Sequence, residues 1–212
     1  MRLSLWHYLL PVAGVAVLLS ASVPADEWKG NVNFMLGPRT ADDDLAPADE
    51  PISFGAAVSF GKVDWPLMIA LDVVVSRDEG SDSYSYPGYY YYYDLDVDVE
   101  VTTRELAVGV RKFWGENVHP FIGGGIELFQ TDYQVDASLF GLPSITIFDD
   151  DDTDLAFWAN AGIYWDLGDR FNLGAHVRYS DADATISSTA PGIDLDLDLS
   201  GFHYGVLAGW RW

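Results

Sequence analysis

The chain has 212 residues and no cysteine, and its 33 acidic and 11 basic side chains give a formal net charge of −22. This charge excludes nucleic acid as a partner, because phosphate would be repelled. Without disulfides, an exported domain of this size must be held together by a large core, a closed sheet or a membrane.

The N-terminus predicts a secretory signal over residues 1–25. Arg2 supplies the positive charge, residues 9–19 form a short apolar run, and Val23 and Ala25 place small residues before a cleavage site. The alternative is an N-terminal membrane anchor, but the apolar run is too short for one. We therefore expect an exported domain over residues 26–212. No later segment is long and apolar enough for a transmembrane helix.

Alternation of apolar and polar residues with a period of two predicts eight strands and no amphipathic helix. The predicted strands are 28–36, 52–60, 65–75, 95–113, 120–130, 155–165, 171–179 and 195–212. Their connections alternate between short (61–64, 114–119, 166–170) and long (37–51, 76–94, 134–154, 180–194). This alternation is typical of an outer-membrane barrel with tight periplasmic turns and long external loops.

Each predicted strand has one large apolar face and one face of small, polar or charged residues. A soluble barrel would place the large apolar residues inside. The glycines, serines and asparagines of the other face suit a narrow barrel interior better than a solvent surface, which favours lipid outside. The charged and imidazole side chains predicted to point inward are Lys29, Asp72, Glu105, Arg111, Glu127, His176, Arg178, His203 and Arg211.

Large aromatic residues gather at one end of the predicted strands, beside the short turns and the chain ends. This predicted girdle consists of Trp28, Phe60, Trp65, Trp114, Phe121, Trp165, Phe171, Trp210 and Trp212. Aromatic belts mark membrane interfaces, whereas a soluble sandwich has no reason to gather indoles at one end. The expected fold is an all-β, eight-stranded antiparallel up-and-down transmembrane β-barrel.

The stretch SYPGYYYYYDLDVDVEV at 85–101 combines a tyrosine run with strict alternation of acidic and aliphatic residues. We expect Asp96, Asp98 and Glu100 to face the barrel mouth and their aliphatic neighbours to face lipid or lipopolysaccharide sugar. This placement requires a slip of the alternation near residues 102–104. A similar change of phase at Ser200 and Gly201 predicts a bulge in the last strand.

Three stretches carry a family resemblance: RELAVGVRKFWG at 104–115, HPFIGGG at 119–125 and YGVLAGWRW at 204–212. They resemble the small eight-stranded outer-membrane barrels, which include the transmembrane domain of outer-membrane protein A and short porin-family proteins. The last stretch is similar to that family's assembly signal, with Trp212 in place of the usual phenylalanine. The resemblance implies a monomer in the outer membrane of a Gram-negative bacterium, with lipid, lipopolysaccharide and the assembly machinery as partners. The sequence departs from outer-membrane protein A in one respect: it stops at strand eight, so we expect no peptidoglycan-binding domain.

Two functions remain open for the interior charges. In a barrel of eight strands the side chains fill the lumen, so the first prediction is an ionic plug in a structural or surface-interaction protein. The alternative is a narrow channel for ions or small solutes. We expect no cofactor and no metal site, because His176 and His203 lack a third ligand.

An enzymatic role is not expected. Some barrels of this size are lipid A hydrolases, and a resemblance to them would require a His-x-Ser-Asn motif and a nearby glutamate. The nearest stretch, HVRYSD at 176–181, has the wrong spacing and places its histidine on the inner face. A group that cleaves lipid must face lipid.

The predicted external loops are acidic and rich in tyrosine. The residues singled out are Tyr89, Tyr90, Tyr91, Tyr92, Tyr93, Asp149, Asp150, Asp151 and Asp152. The aspartates predict solvated charge, with divalent cations bridging to lipopolysaccharide as the alternative. The tyrosines predict an outer girdle below a disordered tip, with an adhesive surface as the alternative.

Overall fold

The computed structural model describes residues 27–40, 51–87, 92–139, 144–187 and 194–212. The predicted signal and the loop residues Tyr89, Tyr90 and Tyr91 lie outside the described residues. Every secondary-structure element in the described ranges is a β-strand. No helix in these ranges is long and apolar enough to cross a membrane.

Eight antiparallel strands close a barrel, which confirms the predicted fold class. They are β1 (Trp28–Pro38), β2 (Ile52–Lys62), β3 (Met68–Pro87), β4 (Tyr92–Phe113), β5 (Val118–Leu139), β6 (Ile145–Leu167), β7 (Phe171–Asp181) and β10 (Gly201–Arg211). Strand β10 closes the barrel between β7 and β1. There Gly30 and Trp212 exchange two backbone hydrogen bonds of 3.0 and 3.1 Å.

A separate two-stranded sheet lies between β7 and β10 in the chain. It consists of β8 (Asp183–Ser187) and β9 (Asp194–Asp198). The prediction of one final strand over 195–212 is therefore wrong, since Leu199 and Ser200 interrupt it. At the base of this hairpin the backbone N–H of Leu199 donates to the carbonyl of Ala182 at 2.9 Å, and both side chains are buried.

The two ends of the barrel differ in their connections. The links at 63–67, 114–117 and 168–170 are short, and we call this end the turn end and the opposite one the loop end. Gly115 and Gly168 have φ angles of +86° and +79°, a left-handed conformation that glycine adopts without steric cost. Trp28 and Trp212 also lie at the turn end, because they flank the closing strands.

Strands β3 to β6 extend far beyond the others at the loop end. Strands β3 and β4 stay paired from Met68 opposite Arg111 to Pro87 opposite Tyr92, and β5 and β6 are paired over a similar length. The prediction of loops at 76–94 and 134–154 is therefore wrong for most of their residues. We call residues 78–87, 92–101, 133–139 and 145–150 the extension.

The alternation of β4 enters the extension without a slip. Its register with β3 and β5 is unbroken through residues 102–104, and a register shift lies instead on β5, between Val135 and Asp136. Val99 and Val101 consequently share the inner face with Glu105 and are each 5% exposed. Asp96, Asp98 and Glu100 lie on the outer face, so their predicted position at the barrel mouth is wrong.

The reason for this inversion is a change of solvent along one straight strand. Near the turn end the outer face of β4 carries exposed Leu106, Val108 and Val110, as lipid contact requires. In the extension the same outer face carries acids, because water replaces lipid there and the apolar side chains turn inward as in a soluble sheet. The backbone stays regular while the surroundings change.

Glycines on the inner face leave room for large side chains. A Cβ atom on Gly109 would lie 2.8 Å from the Trp158 ring and 2.2 Å from the Gly124 carbonyl oxygen. We expect Gly109→Ala to lower the free energy of unfolding by about 1–3 kcal/mol through overpacking. The measurement is the temperature at which the folded barrel loses its compact migration on a gel in detergent.

Gly124→Ala is the matched control for this substitution. Its Cβ atom would meet its nearest neighbour, the Trp158 carbonyl oxygen, at 3.1 Å, so we expect a change below about 1 kcal/mol. Equal losses in the two variants would contradict a tightly packed interior.

Candidate functional site: a charged layer inside the barrel

Arg178 on β7 lies among three carboxylates inside the barrel. Its Nη1 atom lies 2.9 Å from Asp72 Oδ2, and its Nη2 atom lies 3.3 Å from Glu105 Oε2 and also donates to Glu127 Oε2. All four side chains are almost fully buried. The guanidinium therefore links β7 to β3, β4 and β5 across the lumen.

A second guanidinium, that of Arg111 on β4, completes the lower part of this group. Arg111 Nη2 lies 2.7 Å from Asp72 Oδ2, and Nη1 donates to Ser59 Oγ at 2.8 Å. The Trp158 ring packs against both arginines, 4.8 Å from the Arg178 guanidinium and 5.7 Å from that of Arg111. Trp158 was not among the predicted site residues, although its place between the outward Phe157 and Ala159 already indicates an inward side chain.

Arg39 is a third buried arginine that the sequence reasoning missed. It follows β1 in what was predicted as a loop, and its guanidinium donates to Thr103 Oγ1 at 3.0 Å and to the Leu199 carbonyl. It lies 3.9 Å from Glu105 and 5.0 Å from the Phe129 ring centroid. Residue 39 is odd-numbered, as are the inward-facing Asn31, Asn33 and Met35 of β1. This alternation was the signal that could have predicted an inward Arg39.

We call these charged side chains, together with His203, the ionic network. Its members are Arg39, Asp72, Glu105, Arg111, Glu127, Arg178 and His203. Three guanidiniums match three carboxylates, so the charges balance. A buried group of this kind contributes little net stability, but loss of one partner is costly because the others remain buried and unpaired.

His203, Ser53 and Glu105 form a chain of polar contacts within the network. Ser53 Oγ lies 3.0 Å from His203 Nδ1, and Glu105 Oε1 lies 3.1 Å from His203 Nε2. The same residue types occur in hydrolase triads, but here all three side chains are buried inside the barrel. The arrangement holds the imidazole in place.

Apolar side chains pack against the ionic network inside the barrel. Toward the loop end lies an apolar cluster that we call the cap, formed by Val99, Val101, Phe129, Ala156, Ala182 and Leu199. A second apolar cluster packs beside the network and reaches toward the turn end. It is formed by Met35, Ala57, Val74, Phe121, Tyr164 and Leu207. On β5, Phe129 and Phe121 lie on either side of Glu127 along the strand. Charged and apolar side chains thus fill the middle of the lumen together.

Three predicted interior residues lie apart from the network. Lys29 donates to the Val63 carbonyl at 3.0 Å, and Arg211 pairs with Asp166 at 2.6 Å, both at the turn end. Their predicted membership is therefore wrong, because their strand positions are too close to that end. His176 lines a small cavity of about 10 Å³ with Arg111 and Asn160.

The comparison with protein families decides what kind of barrel this is. Residues 12–209 match the model of the outer membrane protein beta-barrel domain. The chain belongs to this family. It is therefore an integral outer-membrane protein, as the sequence predicted. A search of curated protein sequences finds no match.

Three solved structures are similar to this chain. OprG from Pseudomonas aeruginosa has a TM-score of 0.51 and 16% identity, over 89% of this chain and 96% of that one. Ail from Yersinia pestis has a TM-score of 0.45 and 14% identity, over 88% and 99%. Neisserial surface protein A has a TM-score of 0.43 and 13% identity, over 87% and 95%. At such low identity, likeness shows the fold alone.

Most of the predicted girdle lies on the outer wall of this outer-membrane barrel. Trp65, Trp114, Trp165 and Phe171 are exposed. Trp28 packs 6.4 Å from Phe60 and 5.9 Å from Trp65, between ring centroids, while Trp210 packs 6.1 Å from Phe34. Phe121 is the exception.

The predicted girdle position of Phe121 is wrong. Its side chain points into the lumen, 5.5 Å from Phe113 and 6.4 Å from Tyr164 between ring centroids. The Arg111 guanidinium lies 5.6 Å from the same ring. An aromatic residue at a strand end can face the lumen or the lipid. Because the neighbouring Ile122 points outward, Phe121 points into the lumen.

The predicted loop residues lie partly on the extension. Tyr92, Tyr93, Asp149 and Asp150 belong to paired strands, and the Asp151 side chain is exposed. In the described part of the chain, no group of three carboxylates or imidazoles is arranged to hold a metal ion.

Two titratable groups near the cap have shifted pKa values. Burial raises the pKa of the Tyr133 phenol, which packs against the cap. Hydrogen bonds from Ser200 lower the pKa of the Asp198 carboxyl at the hairpin base. The backbone N–H of Ser200 donates to Asp198 Oδ1 at 2.9 Å.

Proposed function

We propose that this outer-membrane barrel has a closed lumen and works through its external surface. The observation that carries the proposal is the buried ionic network, which fills the lumen together with the cap on its loop side and the second apolar cluster beside it. An ion crossing the lumen would have to break buried ion pairs and pass through apolar contacts, and both steps are costly. The role that fits is structural or interactive, without catalysis.

The extension is the surface that we propose for interaction. Its outer face carries Glu79, Asp98, Glu100 and Asp136 beside Arg77 at its base, which pairs with Glu100 at 3.0 Å. Paired strands hold these groups in fixed positions. We propose that this face points outward from the cell, and that the turn end points to the periplasm.

The partners that we propose follow from the same surfaces. Lipid would contact the exposed apolar wall, and lipopolysaccharide would contact the base of the extension. Divalent cations would screen the acidic face without a dedicated site, and the assembly machinery would bind β10. We propose a monomer that binds no nucleic acid.

A narrow channel is the second candidate. It is favoured by a cavity of about 890 Å³ at the turn end and by buried polar atoms without a protein partner in the described residues, including Asn160 Oδ1 and both amide atoms of Asn172. Such atoms are usually satisfied by water. Water would then enter the lower lumen and stop at the ionic network.

Single-channel conductance of the refolded protein in a planar bilayer tests the proposal. We expect silence or rare openings, with or without millimolar calcium. Trp158→Gly is the matched positive control, because it removes the ring that packs against Arg111 and Arg178. Stable openings of the unmodified protein would contradict a closed lumen, and sensitivity to calcium would indicate a cation filter at the acidic end.

A further inference from the structure

The turn end of the barrel contains a large cavity, which we call the vestibule. Its volume is about 890 Å³, and its walls come from several strands and from the turn between β6 and β7. This volume falls within the usual range for sites that bind small molecules. The ionic network lies above it, so the vestibule is a dead end in the closed barrel.

Cations without carboxylate partners line this vestibule. Among the described residues, neither Lys29 nor Arg170 forms an ion pair, and Lys29 only donates to the Val63 carbonyl. Arg211 also lines the cavity, but Asp166 neutralises it at 2.6 Å. Asp169 contributes the one side-chain carboxylate of the described lining. Among the lining side chains, the two cations Lys29 and Arg170 thus outnumber the carboxylate of Asp169. In a chain of net charge −22, a cluster of cationic side chains is a local feature that attracts anions.

The inner wall of the vestibule is aromatic. Phe113 and Tyr164 pack with their ring centroids 5.7 Å apart, and the His119 ring lies 4.7 Å from that of Tyr164. Asn31 is buried behind them and donates to Tyr164 Oη at 3.4 Å. The Trp212 ring lies instead over Gly30 on the outer side of the wall, so it adds nothing to this inner surface. The cavity therefore combines cations with a rigid apolar surface.

We propose that the vestibule binds an organic anion that has an aromatic or apolar body. Lys29 and Arg170 hold the carboxylate, and the rings of Phe113, Tyr164 and His119 bury the body. Charged hydrogen bonds supply the selectivity for an anion, and apolar contact supplies the selectivity over inorganic ions. This site is independent of whether the lumen conducts.

Calorimetric titration of the protein in lipid nanodiscs tests this assignment, since both ends of the barrel are then accessible. The probes are 2-naphthoate, its neutral amide and inorganic phosphate. We expect saturable binding of naphthoate, with the amide and phosphate each weaker by about tenfold or more.

The variant pair Lys29→Gln/Arg170→Gln should weaken naphthoate binding by about tenfold. Lys62→Gln/Lys112→Gln is the matched control, because it removes two cations of the same end that do not line the vestibule, and it should leave binding unchanged. An equal loss in both double variants would overturn the site in favour of general surface charge. Equal affinity for naphthoate and its amide would overturn the role of the cations. Phosphate binding as tight as that of naphthoate would overturn the ligand class.

Discussion

Replacing Arg178 with methionine is expected to lower the free energy of unfolding by about 3–5 kcal/mol. The change leaves Asp72, Glu105 and Glu127 buried with one guanidinium fewer, and three carboxylates close together repel one another. Urea titration of the refolded barrel, followed by tryptophan fluorescence, measures the loss. Adding Glu127→Gln to Arg178→Met should restore part of it, because one of the unpaired charges is then removed.

Arg77→Ala is the control for this experiment. Arg77 also forms two ion pairs, with Glu79 and Glu100, but its side chain is 46% exposed. Solvent screens such pairs, so we expect a change below about 1 kcal/mol. A loss below about 1 kcal/mol for Arg178→Met as well would mean that the network charges are solvated, and the closed lumen would then be wrong.

Val99→Asp is expected to unfold the extension while the rest of the barrel stays folded. Val99 lies in the cap, so a carboxylate there would be buried among apolar side chains, at a cost above about 3 kcal/mol. The measurement is hydrogen exchange of the backbone amides of β4 and β5. Residues 92–101 and 133–139 should exchange rapidly, whereas residues 106–113 should stay protected.

The neighbouring substitution Asp98→Val is the matched control, since Asp98 lies on the exposed outer face of the same strand. It should leave exchange unchanged. The opposite result, with Asp98→Val disruptive and Val99→Asp tolerated, would restore the phase that the sequence predicted and refute the inversion.

The barrel itself was predictable because its signals are local. Alternation identified the strands, and the short connections with their tryptophans identified the turn end. The extension was not predictable in the same way, because Asp96, Asp98 and Glu100 were judged by the rule that holds in lipid. In lipid the apolar face of a strand points outward, whereas in water it points inward. Alternation alone does not show at which residue the surroundings change from lipid to water. A slip of the alternation near residues 102–104 was predicted because the acidic face was assumed to point inward along the whole of β4.

For the ionic network, the sequence predicts which side chains point inward, but not which of them contact one another. Asp72, Glu105, Arg111, Glu127 and Arg178 were all expected to point inward, and the structure brings them together. Which of the inward charges meet depends on how far along its strand each residue lies and on the relative shift of the strands. Lys29 and Arg211 were therefore included wrongly and Arg39 was missed.

The continuous strands β3 to β6 join two parts that differ in what stabilises them. Burial of Val99, Phe129 and Leu199 in the cap removes apolar surface from water, and urea weakens this contribution. The lipid-facing Leu106 and Val108 stay in an apolar solvent that urea does not enter. The outer ion pair of Arg104 and Asp132 lies near the boundary. A single β-strand thus belongs to a membrane wall at one end and to a small water-soluble domain at the other, and the two should melt at different denaturant concentrations.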